Sequence, residues 1–309
     1  MLRGEAFRMA AVVGLMLMLG LALELHRSLR AVERRALQEW AVAPVVNRDI
    51  FYGDQNRNED CHASLRESDG LICVSQTNWD ELKKIYRQQQ EKQKGKNSNH
   101  WAGWFQNNYE PNFSCQFERR LGNIGDGGKW VCDVHRIPTL ETRCLVYSIG
   151  SNNHFEFEIS VHEALPNCEI HTFDHTVAAP KPPSFVHFHS IGLGATDSDK
   201  LLSFASIRKM LGHDASNSSI EILKIDVEGS EYSSLTPKVV ENDFVGVRQL
   251  LIELHKPGAV LPDQGRGLVD AFFEAMDRRG YVIFHKEPNI EWAGGNCVEY
   301  GFLHLNWQP

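Results

Sequence analysis

With 309 residues, 42% of them hydrophobic, the chain has apolar mass enough for one large core, or one core and an extension. A net charge of -8 and a pI near 6.0 leave no basic face for a phosphate backbone, so nucleic acid is disfavoured as a partner.

Arg3 and Arg8 precede Ala10 to Leu23, fourteen residues without a charge. That run is shorter than the ~20 residues needed to cross a bilayer and suits a signal peptide or short signal anchor, placed at 1–26. Leu19 to His26 offers no small-x-small cleavage site, and Arg27, Arg30, Arg34 and Arg35 beyond it outnumber the leading arginines, so orientation is mixed. The segment predicts entry to the secretory pathway, with the product secreted or anchored in Golgi or ER membrane, touching membrane only here. Seven cysteines (Cys61, Cys73, Cys115, Cys132, Cys144, Cys168 and Cys297) without a C-x-x-C pair fit an oxidising lumen better than a zinc ribbon. Up to three disulfides are allowed, with connectivity open. Asn112-Phe-Ser114 and Asn217-Ser-Ser219 match the glycosylation acceptor pattern.

Residues 27–112 read as a stem and helical extension. Ser28 to Trp40 is a charged helix, 41–60 a linker, and Cys61 to Cys73 a loop that a disulfide could staple. Trp79 to Lys96 is a solvated helix with Leu82, Ile85 and Tyr86 on one face. Trp101, Trp104, Phe105, Tyr109, Phe113 and Phe117 then concentrate aromatic mass that must be buried or meet a partner. The main domain is placed at 113–309. Its first landmark is Gly125-Asp-Gly-Gly128, either a tight loop or a backbone that lets a ligand come close.

Strand and helix alternate from there. Leu145 to Ile149 is the first strand; a helix follows from about Asn153, with Asn153 and Glu156 spaced as cap and N3 acid and Phe157, Val161, Ala164 and Leu165 as its stripe. The alternation Phe155, Phe157, Ile159, Val161 suits a strand equally. Glu169 to Phe173 and Phe185 to His189 are the second and third strands, and Gly192-Leu-Gly194 is a turn. Leu201 to Leu211 is helical, closed by Gly212. Ile222 to Val227 is the fourth strand, and Pro237 limits the helix after it. Arg248 to Leu254 is the fifth strand. Gly267 to Arg279 is a helix burying Leu268, Ala271, Phe272, Ala275 and Met276, with Gly280 as its stop. Tyr281 to His285 and Val298 to Leu305 end the sheet as an antiparallel pair. The pattern is that of a Rossmann-like, doubly wound, mostly parallel α/β sheet with an antiparallel last strand, plus the N-terminal helical extension.

Two corners carry chemistry. Gly150-Ser151-Asn152 follows the first strand, and Asp174 ends the second, where a carboxylate can take both hydroxyls of a ribose. Asn152 stands where a dinucleotide site wants glycine, so a ligand with a ribose and no pyrophosphate fits better. The fourth strand delivers Asp226, Glu228 and Glu231 to the same crevice, and Glu253 and His255 stand at the end of the fifth. Capping of the next helix is the structural alternative for Glu228 and Glu231. His154, His171, His175, His187 and His189 form no ligand pattern and read as packed or solvent-facing.

Taken together, Cys144-Leu-Val-Tyr-Ser-Ile-Gly150, Ile170-His-Thr-Phe-Asp174 and Leu223-Lys-Ile-Asp-Val-Glu-Gly-Ser-Glu231 resemble a class I S-adenosylmethionine-dependent methyltransferase. The last run resembles the FkbM-type branch. With Gly125-Asp-Gly-Gly-Lys-Trp-Val-Cys132, the set is similar to the methyltransferase-like protein 24 group, over roughly Phe113 to Trp307. The resemblance implies S-adenosyl-L-methionine as cofactor. It places Gly150, Ser151 and Asn152 against the methionine part, Asp174 on the ribose, Ile191 and Gly192 beside the adenine and Asp226 beside the methyl donor. For transfer to a hydroxyl, Asp226, Glu228 or His255 is a general base, raised in pKa by burial among acids. Alternatively, Asp226 and Glu253 hold a divalent cation that acidifies the acceptor. The expected acceptor is a small molecule, glycan or secreted protein. Two other readings stand beside this one: a methyltransferase-like fold that binds without turnover, and a Golgi-type glycosyltransferase using Asp226-Val-Glu228 as its metal site.

Overall fold

A computed structural model describes residues 75–93, 108–139, 143–213, 218–257, 262–289 and 297–306, all within a compact unit of 59–309. The signal or anchor segment, the charged stem, Cys61, Cys73, Trp101, Trp104, Phe105 and Asn217 lie outside them. No helix among the described residues is long and apolar enough to cross a membrane.

The elements are α1 (Gln76–Gln93), β1 (Glu118–Leu121), β2 (Lys129–Cys132), a 3-10 turn at Val134–Thr139, β3 (Leu145–Ile149), α2 (Glu156–Ala164), β4 (Glu169–Phe173), β5 (Val186–His189), β6 (Gly192–Leu193), β7 (Leu201–Leu202), α3 (Phe204–Met210), β8 (Ile220–Ile225), α4 (Glu231–Ser234), α5 (Pro237–Asp243), β9 (Val247–His255), α6 (Pro262–Arg278), β10 (Tyr281–Pro288) and β11 (Cys297–His304). Seven strands make one sheet in the order β10-β11-β9-β8-β3-β4-β5. β3, β4, β5, β8 and β9 are parallel, and β11 runs against both of its neighbours. Strand order reverses between β3 and β8, and there the sheet opens a crevice at its carboxyl edge.

Alternation sends odd and even strand residues to opposite faces, and each face has its own core. Leu145, Tyr147, Ile149 and Phe173 meet Phe204 of α3, Val240 of α5 and Phe272 of α6. Val146, Ile170 and Ile222 meet Trp79 and Tyr86 of α1 and Phe157 and Val161 of α2. This is the doubly wound architecture expected, with helices covering both faces. The β1–β2 hairpin is pinned to it by Gln249, buried in β9, whose side chain accepts from the Cys132 amide and donates to its carbonyl.

Local expectations need correction at several places. α1 is not simply solvated: Trp79 and Tyr86 are fully buried, the Tyr86 hydroxyl donates to Asp277, and Ile85 is the exposed one. Residues 156–161 are helical, but Asn153 does not cap α2; Phe155 holds the cap position without a side-chain bond. Asn153 instead accepts from the Lys181 amide. Gly192-Leu193 is a short parallel pairing with Leu201-Leu202 rather than a turn, so the next helix starts only at Phe204, capped by Ser203. The fourth strand ends at Ile225, short of Val227. Pro237 opens α5, with Thr236 capping it, because proline suits the first helical turn. Leu268 of α6 faces outward, and Phe273 takes the buried place.

Cys115 pairs with Cys132 and Cys144 with Cys168; among the described cysteines Cys297 stays a buried thiol. Asn112 is buried, and its side-chain oxygen accepts from the Ile283 amide, so this half of the glycosylation signal serves the fold.

Candidate functional site

A cavity of about 990 Å³ opens at the switch point between β3 and β8, the size of a small-molecule site. β3 ends in Gly150, and the chain turns so tightly there that φ is +87°. A Cβ at Gly150 would lie 1.7 Å from the Asp226 carbonyl oxygen. Glycine is thus required for the ends of β3 and β8 to touch. Lys224 closes the corner by donating to the Gly150 carbonyl at 2.7 Å.

Asp174, at the end of β4, points into this bend. One carboxylate oxygen accepts from the Ser151 amide at 2.9 Å and the Asn152 amide at 2.7 Å; the other accepts from the Thr176 amide and hydroxyl. Burial alone would raise the carboxyl, but the bonds from Thr176, Ser151 and Asn152 outweigh it and hold the pKa at about 2. The left-handed Asn152 (φ 45°) is stabilised by the same carboxylate. Gly150, Ser151, Asn152, Asp174, Gly192, Asp226 and Glu228 all line the cavity. The glycine-rich loop lines it too, through Asn123, Asp126 and Gly127. That loop is held by Arg120, which donates to the carbonyls of Asn123, Gly125 and Gly128. Ile191 is not among the lining residues and packs on the core instead.

Beneath Asp226 lies a charge cluster that the sequence did not announce. Glu253 of β9 and Glu299 of β11 stand directly opposite each other in the ladder, a pairing that repels when both are charged. Lys129 of β2, only 2% exposed, bonds Glu299 and sits 3.5 Å from Asp226. Burial opposes charge on Lys129, but Glu299, Asp226 and Glu253 together raise its pKa above the ordinary value. Asp226 is corrected against expectation: burial would raise it, yet Lys129 and Lys224 lower it, so it is the ionised member. The raised carboxyls are Glu253, through burial and the Asp226 charge, and Glu299, at about 7 through burial despite Lys129.

The divalent cation expected on Asp226 and Glu253 meets this lysine. Asp126, Asp226 and Glu253 do bring three oxygens within 4.8 Å of one another, but an ammonium already compensates them and would repel a second cation. The donor set therefore does not fit a metal, and no step is derived through one.

His255 is also corrected as a base. Burial works against its charge, but the hydrogen bond and negative charge of Glu231 outweigh it and lift the pKa to about 9. Its Nδ1 donates to Glu231 at 2.8 Å, and its Nε2 lies 3.4 Å from Glu228. At neutral pH it is an imidazolium, and it does not line the cavity. Buried Glu231 also accepts from the Gly229 amide, so its place at the start of α4 serves both turn and histidine. Replacing Glu231 with glutamine is expected to return the His255 titration, followed by NMR of the ring protons, from about 9 to near ~6.5; an unchanged midpoint would refute the pairing.

A family model described as "Methyltransferase domain" matches residues 62–304, and the chain belongs to that family. It is similar to the sequences named "Probable methyltransferase-like protein 24" of Rattus norvegicus, 24% identical over 199 residues covering 57% of this chain and 54% of the relative, and of Homo sapiens, 24% over 194 residues covering 54% and 51%. The chain thus spans about half the length of the curated relatives it matches. Among solved structures it is similar to fibrillarin of Methanococcus jannaschii (TM-score 0.33, 9% identity, 62% of this chain and 84% of that). It is also similar to the antibiotic-resistance methyltransferase Kmr (TM-score 0.32, 16% identity, 60% and 99%). At such scores neither likeness bears on function. Family membership and the lysine beside Asp226 together speak against the glycosyltransferase reading.

Proposed function

We propose that the chain is an S-adenosyl-L-methionine-dependent methyltransferase of the secretory pathway, methylating a hydroxyl oxygen on a small molecule, glycan or secreted protein. The observation that carries this is the cavity at the switch point, where the Asp174 carboxylate and the Gly150 bend face one space. Ser151 and Asn152 supply the small-residue cradle for a methionine moiety, Asp174 the acceptor for ribose hydroxyls, and Gly192 with Leu193 a wall for adenine. When bound, the sulfonium supplies an electrophilic methyl group.

The chain's own part is placement and a proton sink. Ionised Asp226 lines the cavity at the end of β8 and takes the proton that the acceptor hydroxyl loses as its oxygen gains the methyl group. Exposed Glu228, also lining the cavity, is the alternative proton acceptor. The net charge of -8 supports an acceptor other than nucleic acid, and the Cys115–Cys132 and Cys144–Cys168 pairs support an oxidising compartment.

One observation favours the binding-module alternative. Both Asp174 oxygens are already engaged by Ser151, Asn152 and Thr176, so a ribose must share them. Titration calorimetry with S-adenosyl-L-methionine and S-adenosylhomocysteine tests the reading. Binding by the unaltered chain, lost at least a hundredfold in Asp174→Ala, is the expected result. Unaltered affinity in Asp174→Ala would refute the ribose assignment, and no binding at all would refute the cofactor. Binding without methyl transfer across a panel of hydroxylated acceptors would favour the module without turnover.

A further inference from the structure

Away from the cavity, at the amino-terminal half of the sheet, histidines collect on one face. Glu169 and His171 lie two apart on β4 and so point to the same side. β3 sets Tyr147 beside His171, and β5 sets His187 on its other flank. His213, just beyond α3, closes over them, its ring 5.2 Å from that of His171. His171 is 4% exposed and His213 2%. A strand that only packs would carry apolar side chains here, as it does at Ile170 and Phe173.

We propose that Glu169, His171 and His213 form a zinc(II) site, separate from the cofactor cavity. Each offers one ligand atom, and the three lie within 4.8 Å of one another. A tetrahedral zinc with bonds of about 2.0–2.1 Å needs ligand atoms about 3.3 Å apart, so small side-chain adjustments close the set. His171 Nε2 and Glu169 Oε1 are already 2.8 Å apart; zinc binds the neutral ring at Nε2 in place of the proton between them, and the ring carries that proton on Nδ1 instead, facing His189.

The surroundings have the outer contacts that a metal site requires. His171 Nδ1 meets His189 Nε2 at 3.0 Å, and His213 Nδ1 meets the Tyr147 hydroxyl at 2.6 Å. The first bond leaves His171 Nε2 towards Glu169 and the ion, and the second engages His213 at Nδ1 and so leaves Nε2 as that ring's ligand atom, the usual support for a ligating imidazole. Glu169 turns its second oxygen to Arg143, leaving Oε1 for the ion. Two histidines and one glutamate are a zinc donor set, with water in the fourth position, on the side where Glu169 is half-buried. None of the three lines the cavity, so the ion staples β4 to the segment just after α3 and does no chemistry on the methyl acceptor.

The test is zinc binding by the full chain, stripped with chelator and titrated against a chromogenic competitor, with thermal unfolding alongside. One equivalent is expected to bind and to raise the unfolding midpoint. In Glu169→Gln, an isosteric change at a half-buried position, and in His213→Gln, affinity for that equivalent is expected to fall at least tenfold and the thermal shift to vanish. Glu228→Gln, in the acid cluster by the cavity, should keep both. Circular dichroism of the metal-free proteins checks the fold, and Glu169→Gln decides the matter if His213→Gln folds poorly. Zinc bound equally well by Glu169→Gln, or no zinc bound by the unaltered chain, would overturn the proposal.

Discussion

Gly150→Ala is expected to destabilise the protein by about 2–5 kcal/mol and to abolish ligand binding at the cavity. Two costs add. A side chain in the left-handed region costs about 1–2 kcal/mol, and forcing a methyl group into filled space typically costs about 1–3 kcal/mol. Here the obstacle is backbone, the Asp226 carbonyl oxygen 1.7 Å from the new Cβ, so no rotamer change relieves it. β3 and β8 must part, and with them go the Asp226 amide bond to Ile149 and the Lys224 bond to Gly150. Gly212→Ala is the control: its φ is +68°, but a Cβ there meets nothing within 4 Å, so only the strain of about 1–2 kcal/mol applies. Urea unfolding of the two variants separates the costs. If Gly150→Ala lost no more than Gly212→Ala, the close approach of the strands would be wrong.

That corner was legible because its signals are local. A mostly apolar run of five residues, then glycine and small polar residues, marks β3 and its bend; Ile170 to Phe173 followed by Asp174 marks its neighbour. The runs of β8 and β9 were readable for the same reason. What escaped had no local period. The β6–β7 pair is two residues against two, too short for alternation to show. Trp79 and Tyr86 were hidden in a helix whose polar majority suggested water. The pKa pattern around Asp226 escaped for a deeper reason: it depends on Lys129, which follows a glycine-rich stretch and carries no local sign of burial. Its partners come from β8, β9 and β11, and only the folded sheet brings them together. His171 likewise looked like an ordinary packed histidine because His213 and His189 reach it from other elements.

Lys129→Met is the second large effect, and it tests the charge logic on which Asp226 depends. Removing one partner of a buried ionic group costs about 3–5 kcal/mol, because the remaining charges stay buried without compensation. The loss should depend on pH with a definite sign. Burial and the neighbouring acids raise Glu299 from 4.5 to about 7, so between those values the folded protein binds more protons than the unfolded chain. Its contribution is therefore complete below pH 4.5 and is lost as pH rises towards 7. Without the ammonium, Glu299 and Glu253 move further up and the window extends to higher pH. Lys129→Met should thus lie nearest the parent protein at about pH 5 and fall furthest behind above about pH 7, measured by urea unfolding at each pH. Glu299→Gln in the same background should restore part of the loss by removing one of the stranded acids. A deficit under about 1 kcal/mol, or one flat with pH, would mean that the three carboxylates do not share this cation. Asp226 would then need another reason to stay ionised in the wall of the cavity.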